Sequence, residues 1–337
     1  MNASPSRAAG GASILKPLLN AWSWLFLVLI LGFFEIYAQI ETGNTFVFRL
    51  YNLQSIAVAA SQILLLALGL TLVVVAGHID LSIGFTTGLA AVVMALVIRA
   101  AGPESGLLIL IAAMVVGILA AIVVGLVNGW LVAVLDVPSF IGTLGTYGIA
   151  RGMALIVAGG ATVSIRSDAA RSFGNGDLLG VPVPVVVAGV LAIGCHYLLA
   201  HTKFGVHTYA LGANRASVER AGVDVKRHLI LLFVISAVTA GIGGLIYTGR
   251  FSAGAANAGE PILLYAVAAV FIGGASLTGG QGTVTGTVIG AFIIAVIQFG
   301  LVFSGLPPYW QFVAVGLVII VAVLVDQSKD RLTGARA

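Results

Sequence analysis

Apolar stretches of about 20 residues, joined by short polar connectors, follow one another along most of this chain. A helix of that length crosses the ~30 Å hydrocarbon core of a bilayer. Inside that core no water pairs with backbone N–H and C=O groups, so only helices and closed barrels can span it. Barrel strands alternate apolar with polar residues, whereas these runs are continuously apolar. The expected fold is therefore all-α: a polytopic membrane protein of about ten transmembrane helices. The candidate spans lie near 21–40, 56–76, 82–99, 107–135, 139–158, 184–201, 228–248, 262–278, 284–304 and 309–326. Removing the two short segments at 82–99 and 262–278 leaves eight, which keeps the same parity. Composition agrees: 8% of residues are charged, against ~25% in an ordinary soluble domain.

The basic residues orient the spans. With the N-terminus inside, the cytoplasmic segments collect ten Lys and Arg residues: Arg7, Lys16, Lys203, Arg215, Arg220, Lys226, Arg227, Lys329, Arg331 and Arg336. Arg49, Arg99, Arg166, Arg171 and Arg250 fall outside, and Arg151 falls within a span. This asymmetry puts both termini in the cytoplasm, and it accounts for the net charge of +4 without a nucleic-acid partner. Residues 1–20 read as a tail ahead of an uncleaved first span, because no small-residue cleavage site follows. Residues 21–327 form one transmembrane domain with a cytoplasmic loop at 202–228, and 328–337 form a second tail. The loop from Gly159 to Val183 reads either as an ordered, turn-rich receiver for an external protein or as a plain connector.

Two glycine-rich breaks interrupt the spans. Gly77-His78-Ile79-Asp80-Leu81-Ser82-Ile83-Gly84 is one, and Gly273-Gly274-Ala275-Ser276-Leu277-Thr278-Gly279-Gly280-Gln281-Gly282-Thr283 is the other. Both follow inward-running spans, so they can be read as matching elements of an internal repeat, a frequent transporter device that leaves irregular backbone near the path. Gly77, His78, Asp80, Ser82, Gly84, Gly273, Gly274, Gly279 and Gly280 are accordingly the candidate translocation or gating residues. Asp80 has two readings. It can cap the first free N–H groups of the following helix, or it can serve an ion path, since acids inside membranes are rare. The cap is favoured. Glu35 falls near a span end, where snorkelling is cheap. Arg151, deeper, either snorkels or faces the bundle interior. Asn128, Asn257 and Gln298 either line or rim a path or are each satisfied by an interhelical hydrogen bond.

Enzyme chemistry finds little support. The second break lacks the lysine of a G-x-x-x-x-G-K-[ST] phosphate loop, so the chain shows no ATPase site of its own and no cofactor. Cys195, His196, His201 and His207 look like coincidence rather than metal ligands, because adjacent helical residues point apart. A single cysteine excludes an intrachain disulfide.

The loop between Lys203 and Arg227 gathers five of the basic residues (Lys203, Arg215, Arg220, Lys226, Arg227). From Asn214, a good cap, a short helix can run to Ala221 and close on Gly222 in the left-handed conformation. Val218, Ala221 and Val225 would share one side and Arg215, Glu219 and Arg220 the wet one. Such a helix is too short to be stable alone, so it must rest on the spans or on a partner.

Taken in order, the first break, then Ala210-Leu211-Gly212-Ala213-Asn214 with Ala221-Gly222-Val223, then the second break resemble the ribose-type permeases of bacterial ABC importers, in the branched-chain amino acid/ribose permease superfamily. The resemblance covers about Leu50 to Val325. It implies a type II importer bundle in the bacterial inner membrane, built as a two-permease core. It further implies an extracytoplasmic substrate-binding protein and a separate cytoplasmic ATPase that holds ATP and Mg²⁺. By the same resemblance Gly212, Asn214, Arg215, Ser217, Val218, Glu219, Arg220, Ala221, Gly222 and Val223 are the ATPase-coupling segment. The chain departs from the pattern at His78, where a second glycine is usual, and at Ser217 and Val218, where small residues are usual. The expected cargo is a sugar or sugar-like solute. Nucleosides or branched-chain amino acids are the alternative cargo, and an ion-driven secondary transporter is the alternative class.

Overall fold

The computed structural model describes residues 22–103 and 105–333; the N-terminal tail expected at 1–20 and residues 334–337 lie outside them. Eight of the described helices are long and apolar enough to cross a membrane. They are α1 (Trp22–Thr42), α2 (Leu50–Val75), α3 (Ile83–Ala101), α4 (Leu107–Ala133), α5 (Ser139–Ala158), α7 (Val183–His201), α10 (Val225–Phe251) and α12 (Val284–Phe303). Two shorter apolar helices complete the set of ten: α11 (Glu260–Ile272) and the apolar part, Trp310–Ala322, of α13 (Trp310–Thr333). The chain is a multi-pass helical membrane bundle, and each expected span corresponds to one apolar helix. The last helix continues past its apolar part to Thr333, so residues 328–333 of the expected tail are helical.

Three short pieces were not legible as helices or strands. α6 (Asp168–Asn175) and a two-residue hairpin, β2 (Asp177–Leu178) with β3 (Val181–Pro182), order the loop expected between 159 and 183. β1 (Val163–Ser164) pairs with β4 (Ala253–Gly254), tying that loop to the end of α10. The charged loop holds two helices, α8 (Lys203–Ala213) and α9 (Arg215–Arg220). Thr202 caps α8 by accepting from the Gly205 N–H at 3.4 Å.

α2 is the central post, with almost every residue from Ile63 to Val75 buried. α10 lies beside it and packs on α3 and α4 through small residues. A Cβ on Gly125 would stand 2.7 Å from the Phe233 carbonyl oxygen, which is why these two helices meet backbone to backbone. At the end of the bundle away from the charged loop, the Glu35 carboxylate folds back rather than snorkelling. It accepts from the N–H groups of Phe46 and Val47, each at 2.8 Å, and so pins the α1–α2 turn.

Candidate functional site

The same stop ends α2, α9 and α11. At each, a glycine with positive φ (Gly77 +82°, Gly222 +81°, Gly274 +89°) follows the last residues, and two backbone bonds close the turn. His78 N–H bonds Val73 O and Gly77 N–H bonds Val74 O; the counterparts are Val223 to Val218 with Gly222 to Glu219, and Ala275 to Val270 with Gly274 to Phe271. This is the Schellman arrangement, which satisfies carbonyls that a helix end leaves open and needs a residue free to adopt the left-handed region. α11 therefore stops at Ile272, short of the expected 278.

The two breaks and the charged loop meet at one point. Gly280 donates its N–H to Val75 O at 2.8 Å. A Cβ on Gly212 of α8 would lie 2.1 Å from Val75 O and 2.3 Å from Gly280 N. One on Gly279 would lie 2.6 Å from Gly77 Cα and 3.0 Å from Gly212 Cα. Tyr209, one turn before Gly212, donates its hydroxyl to Gly282 O at 2.7 Å. Gly77, Gly212, Gly279 and Gly280 thus form a knot of touching backbones. The other named glycines sit elsewhere: Gly273 packs on Gly286 at the start of α12, Gly274 borders open space, and Gly84 faces the Gly259 carbonyl.

Asp80 lies beside this knot and is 2% exposed. One carboxylate oxygen accepts from the Ser82 N–H at 3.0 Å and the Ser82 hydroxyl at 2.6 Å; the other accepts from Ser236 of α10 at 2.8 Å. Asn128 of α4 donates to Ser82 Oγ at 2.7 Å and accepts from Thr146 of α5. Ile79 N–H bonds Ser139 Oγ at 3.2 Å and Leu81 N–H bonds Thr143 Oγ1 at 3.1 Å. A buried polar network of this kind specifies one arrangement because every member finds a partner. Asp80 holds Ser82, the residue before α3, and ties it to Ser236 of α10, and Asn128 joins four helices through its neighbours. His78 is half-buried, its ring 6.4 Å from that of Phe233.

α9 has the expected cap and stop. Asn214 accepts from the Ser217 N–H at 3.0 Å, and Val218 is 5% exposed, in one core with Val225. Ala221 is exposed rather than inward, because the helix has already ended and Ala221 is its last cap residue. Arg215 bonds Glu219 one turn on at 2.9 Å and reaches Asp136, in the α4–α5 turn, at 3.3 Å. Bonding to Glu219 raises the Arg215 pKa above its ordinary value. Ser217 and Arg220 are exposed, 3.3 Å apart, and Glu219 is exposed with them.

Gln298 and Asn257 border two separate cavities. Gln298, with Gln54, Arg250 and Gln311, edges a space of about 480 Å³ at the end away from the charged loop. Its side-chain nitrogen is buried without a hydrogen-bond partner.

A bundle of ten apolar helices, two of them entered through glycine breaks that meet under one charged loop, has the build of a multi-pass membrane permease. The chain belongs to the family described as branched-chain amino acid transport system / permease component, whose model matches residues 52–323. It is 34% identical over 297 residues to the ribose import permease protein of Escherichia coli (strain K12), covering 87% of this chain and 91% of that one. It is 35% identical over 276 residues to the D-allose transport system permease protein of the same strain, covering 82% and 83%. To the ribose import permease protein of Bacillus subtilis (strain 168) it is 34% identical over 270 residues, covering 79% and 81%. No solved structure matches.

Proposed function

We propose that this chain is the membrane-spanning subunit of an ATP-driven importer for a monosaccharide or a similar polyol. The observation that carries the reading is the knot where Gly212 of α8 touches both helix breaks, next to the capped α9. The names of its relatives, two ribose permeases and an allose permease, supply the solute class.

In this reading the charged loop faces the cytoplasm, both termini lie there, and the membrane is the bacterial inner membrane. A separate ATPase holds ATP and Mg²⁺ and grips α9 over Ser217, Glu219 and Arg220, whose side chains are exposed. A push on α9 reaches the bundle by two routes: Arg215 to Asp136 and so to the head of α5, and Gly212 to Val75 and Gly280. Both routes end at the breaks, where irregular backbone can absorb a rocking of helices. A substrate-binding protein docks at the opposite face, and a second permease, identical or similar, completes the core.

The test is uptake by the reconstituted complex of permease, ATPase and binding protein. Arg220→Glu and Gly222→Pro should abolish ATP-driven uptake while the permease still inserts. Wild-type uptake by both variants would sink the coupling role. The family description favours one second reading, a branched-chain amino acid cargo. Thermal stabilisation of the binding protein, screened over pentoses, hexoses, polyols, nucleosides and leucine, separates the two.

A further inference from the structure

α11 has 13 residues, about 20 Å of helix at 1.5 Å per residue, too short for a ~30 Å core. Its N-terminus therefore begins inside the bundle, after a loop that turns back from the end of α10. That loop packs on α3 at two glycines: a Cβ on Gly88 would lie 1.9 Å from Ala256 O, and one on Gly84 3.0 Å from Gly259 O. The depth follows from neighbouring contacts. Asp80 bonds Ser236 and Thr248 bonds Ala91 O, so the stretch of α3 around Phe85 is level with the middle of the 27-residue α10.

Outward from that level the irregular backbone, α3 and α5, with the turn Gly160–Thr162 that follows α5, line an open cavity of about 270 Å³. Arg151, Thr162, Asn257 and Glu260 supply its polar lining. Arg151 lies over the Phe85 ring, its guanidinium carbon 5.2 Å from the centroid. Among the described residues none of the ion pairs includes Arg151 or Glu260, and no hydrogen bond occupies the side chain of Thr162 or Asn257. Arg151, Asn257 and Glu260 face this space below the outer rim that Thr162 marks, and polar heads so placed are costly next to lipid. They are accounted for if the space holds water and a polar solute, as where a discontinuous helix begins in other transporters.

We propose that this cavity is a solute-binding station on the transport path, and that it takes an uncharged, polyhydroxylated solute of monosaccharide size. Arg151 and Asn257 donate, while Glu260 and Asn257 accept. Each hydroxyl of such a solute does both, and the one positive and one negative charge in the lining cancel. An apolar amino acid would engage Arg151 and Glu260 through its two charged groups and leave Thr162 and Asn257 unused. The solute class rests on the importer reading above; the cavity as a wet path does not.

The experiment uses the whole complex in proteoliposomes, with the permease carrying Cys195→Ala. Asn257→Cys should react with a membrane-impermeant thiol reagent at least about tenfold faster than Ile193→Cys, on the exposed apolar face of α7, because thiolate formation needs water. D-Ribose or D-allose, delivered with the binding protein, should slow that reaction. Arg151→Gln should lower sugar uptake about tenfold or more, the effect of one hydrogen bond to a charged group, while binding-protein-stimulated ATP hydrolysis persists. Equal labelling at 257 and 193 would overturn the station, as would labelling that neither sugar slows or that leucine slows instead. Uptake by the wild-type complex reads the importer assignment separately. If it imports neither sugar, the solute class falls, while the labelling ratio still decides whether the cavity is a water-filled path.

Discussion

Gly280 and Val75 are joined by a 2.8 Å backbone hydrogen bond that ties the second helix break to the last turn of α2. The bond forms in the space that Gly212 leaves by having no side chain. Gly212→Ala would place a carbon 2.1 Å from Val75 O and 2.3 Å from Gly280 N, so backbone has to move. The expected cost is about 1–3 kcal/mol, with most uptake lost. Gly222→Ala meets no neighbour but forces a left-handed φ, at about 1–2 kcal/mol. Thermal-unfolding midpoints of the purified variants, alongside uptake, check this. A Gly212→Ala protein with wild-type stability and uptake would show that the knot is not tight.

Asp80 separates a capping role from an ion path. Asp80→Asn keeps an acceptor for Ser82 and turns a donor toward Ser236, whose hydroxyl can rotate to accept. The expected loss is about 1 kcal/mol, with ATP-driven uptake retained. Asp80→Ala strands the Ser82 N–H and two hydroxyls, at about 1–3 kcal/mol for each buried unsatisfied group, and should fail to accumulate. The measurement is uptake by Asp80→Asn with a protonophore present and ATP supplied. Loss of transport there, in a well-folded protein, would restore the secondary-transporter reading.

Arg215 tests transmission rather than stability. Its pairs with Asp136 and Glu219 are exposed, so Arg215→Ala should cost no more than about 1 kcal/mol. Under the coupling reading, uptake per ATP hydrolysed should nevertheless fall. Asp136→Ala should produce a smaller defect, and the double variant should be no worse than Arg215→Ala, since coupled residues are not additive. Strictly additive defects would mean that the Arg215–Asp136 contact transmits nothing.

How much of this could be read beforehand depends on distance along the chain. The spans announce themselves because each is a local run of apolar residues. The cap at Asn214 and the stops at Gly77, Gly222 and Gly274 are also local chemistry. α8 is not legible because Gly205, His207 and Gly212 within eleven residues obscure a helical period that tertiary contact enforces. α6, with an interior glycine, is not legible for the same reason. The convergence of the breaks on Gly212 was not legible at all. Three glycine-rich segments signal close approach of backbone, yet nothing local states which segments approach one another. Arg151 and Asn257 are visible in the sequence as unusual polar residues, whereas Glu260 is not. It is an ordinary first-turn acid until α11 proves too short to reach the surface.

The face opposite the charged loop offers the last prediction. α6 is seated on the end of α10 through Gly174, where a Cβ would lie 2.2 Å from Arg250 N. Asn175 donates its side-chain amide to Gly249 O at 3.3 Å and Arg250 O at 3.1 Å. Beyond it the hairpin tip presents Leu179, 98% exposed, a large apolar side chain free for contact. If this platform receives a binding protein, Gly174→Val should unseat α6 and lower ATP hydrolysis stimulated by that protein, leaving basal hydrolysis unchanged. Leu179→Asp should do the same with no change in fold, because it touches nothing in the bundle. The steady-state ATPase rate of the reconstituted complex, titrated with binding protein, reads both. A half-maximal concentration unchanged in Leu179→Asp would remove the hairpin tip from the docking face, and one unchanged in both variants would remove the platform.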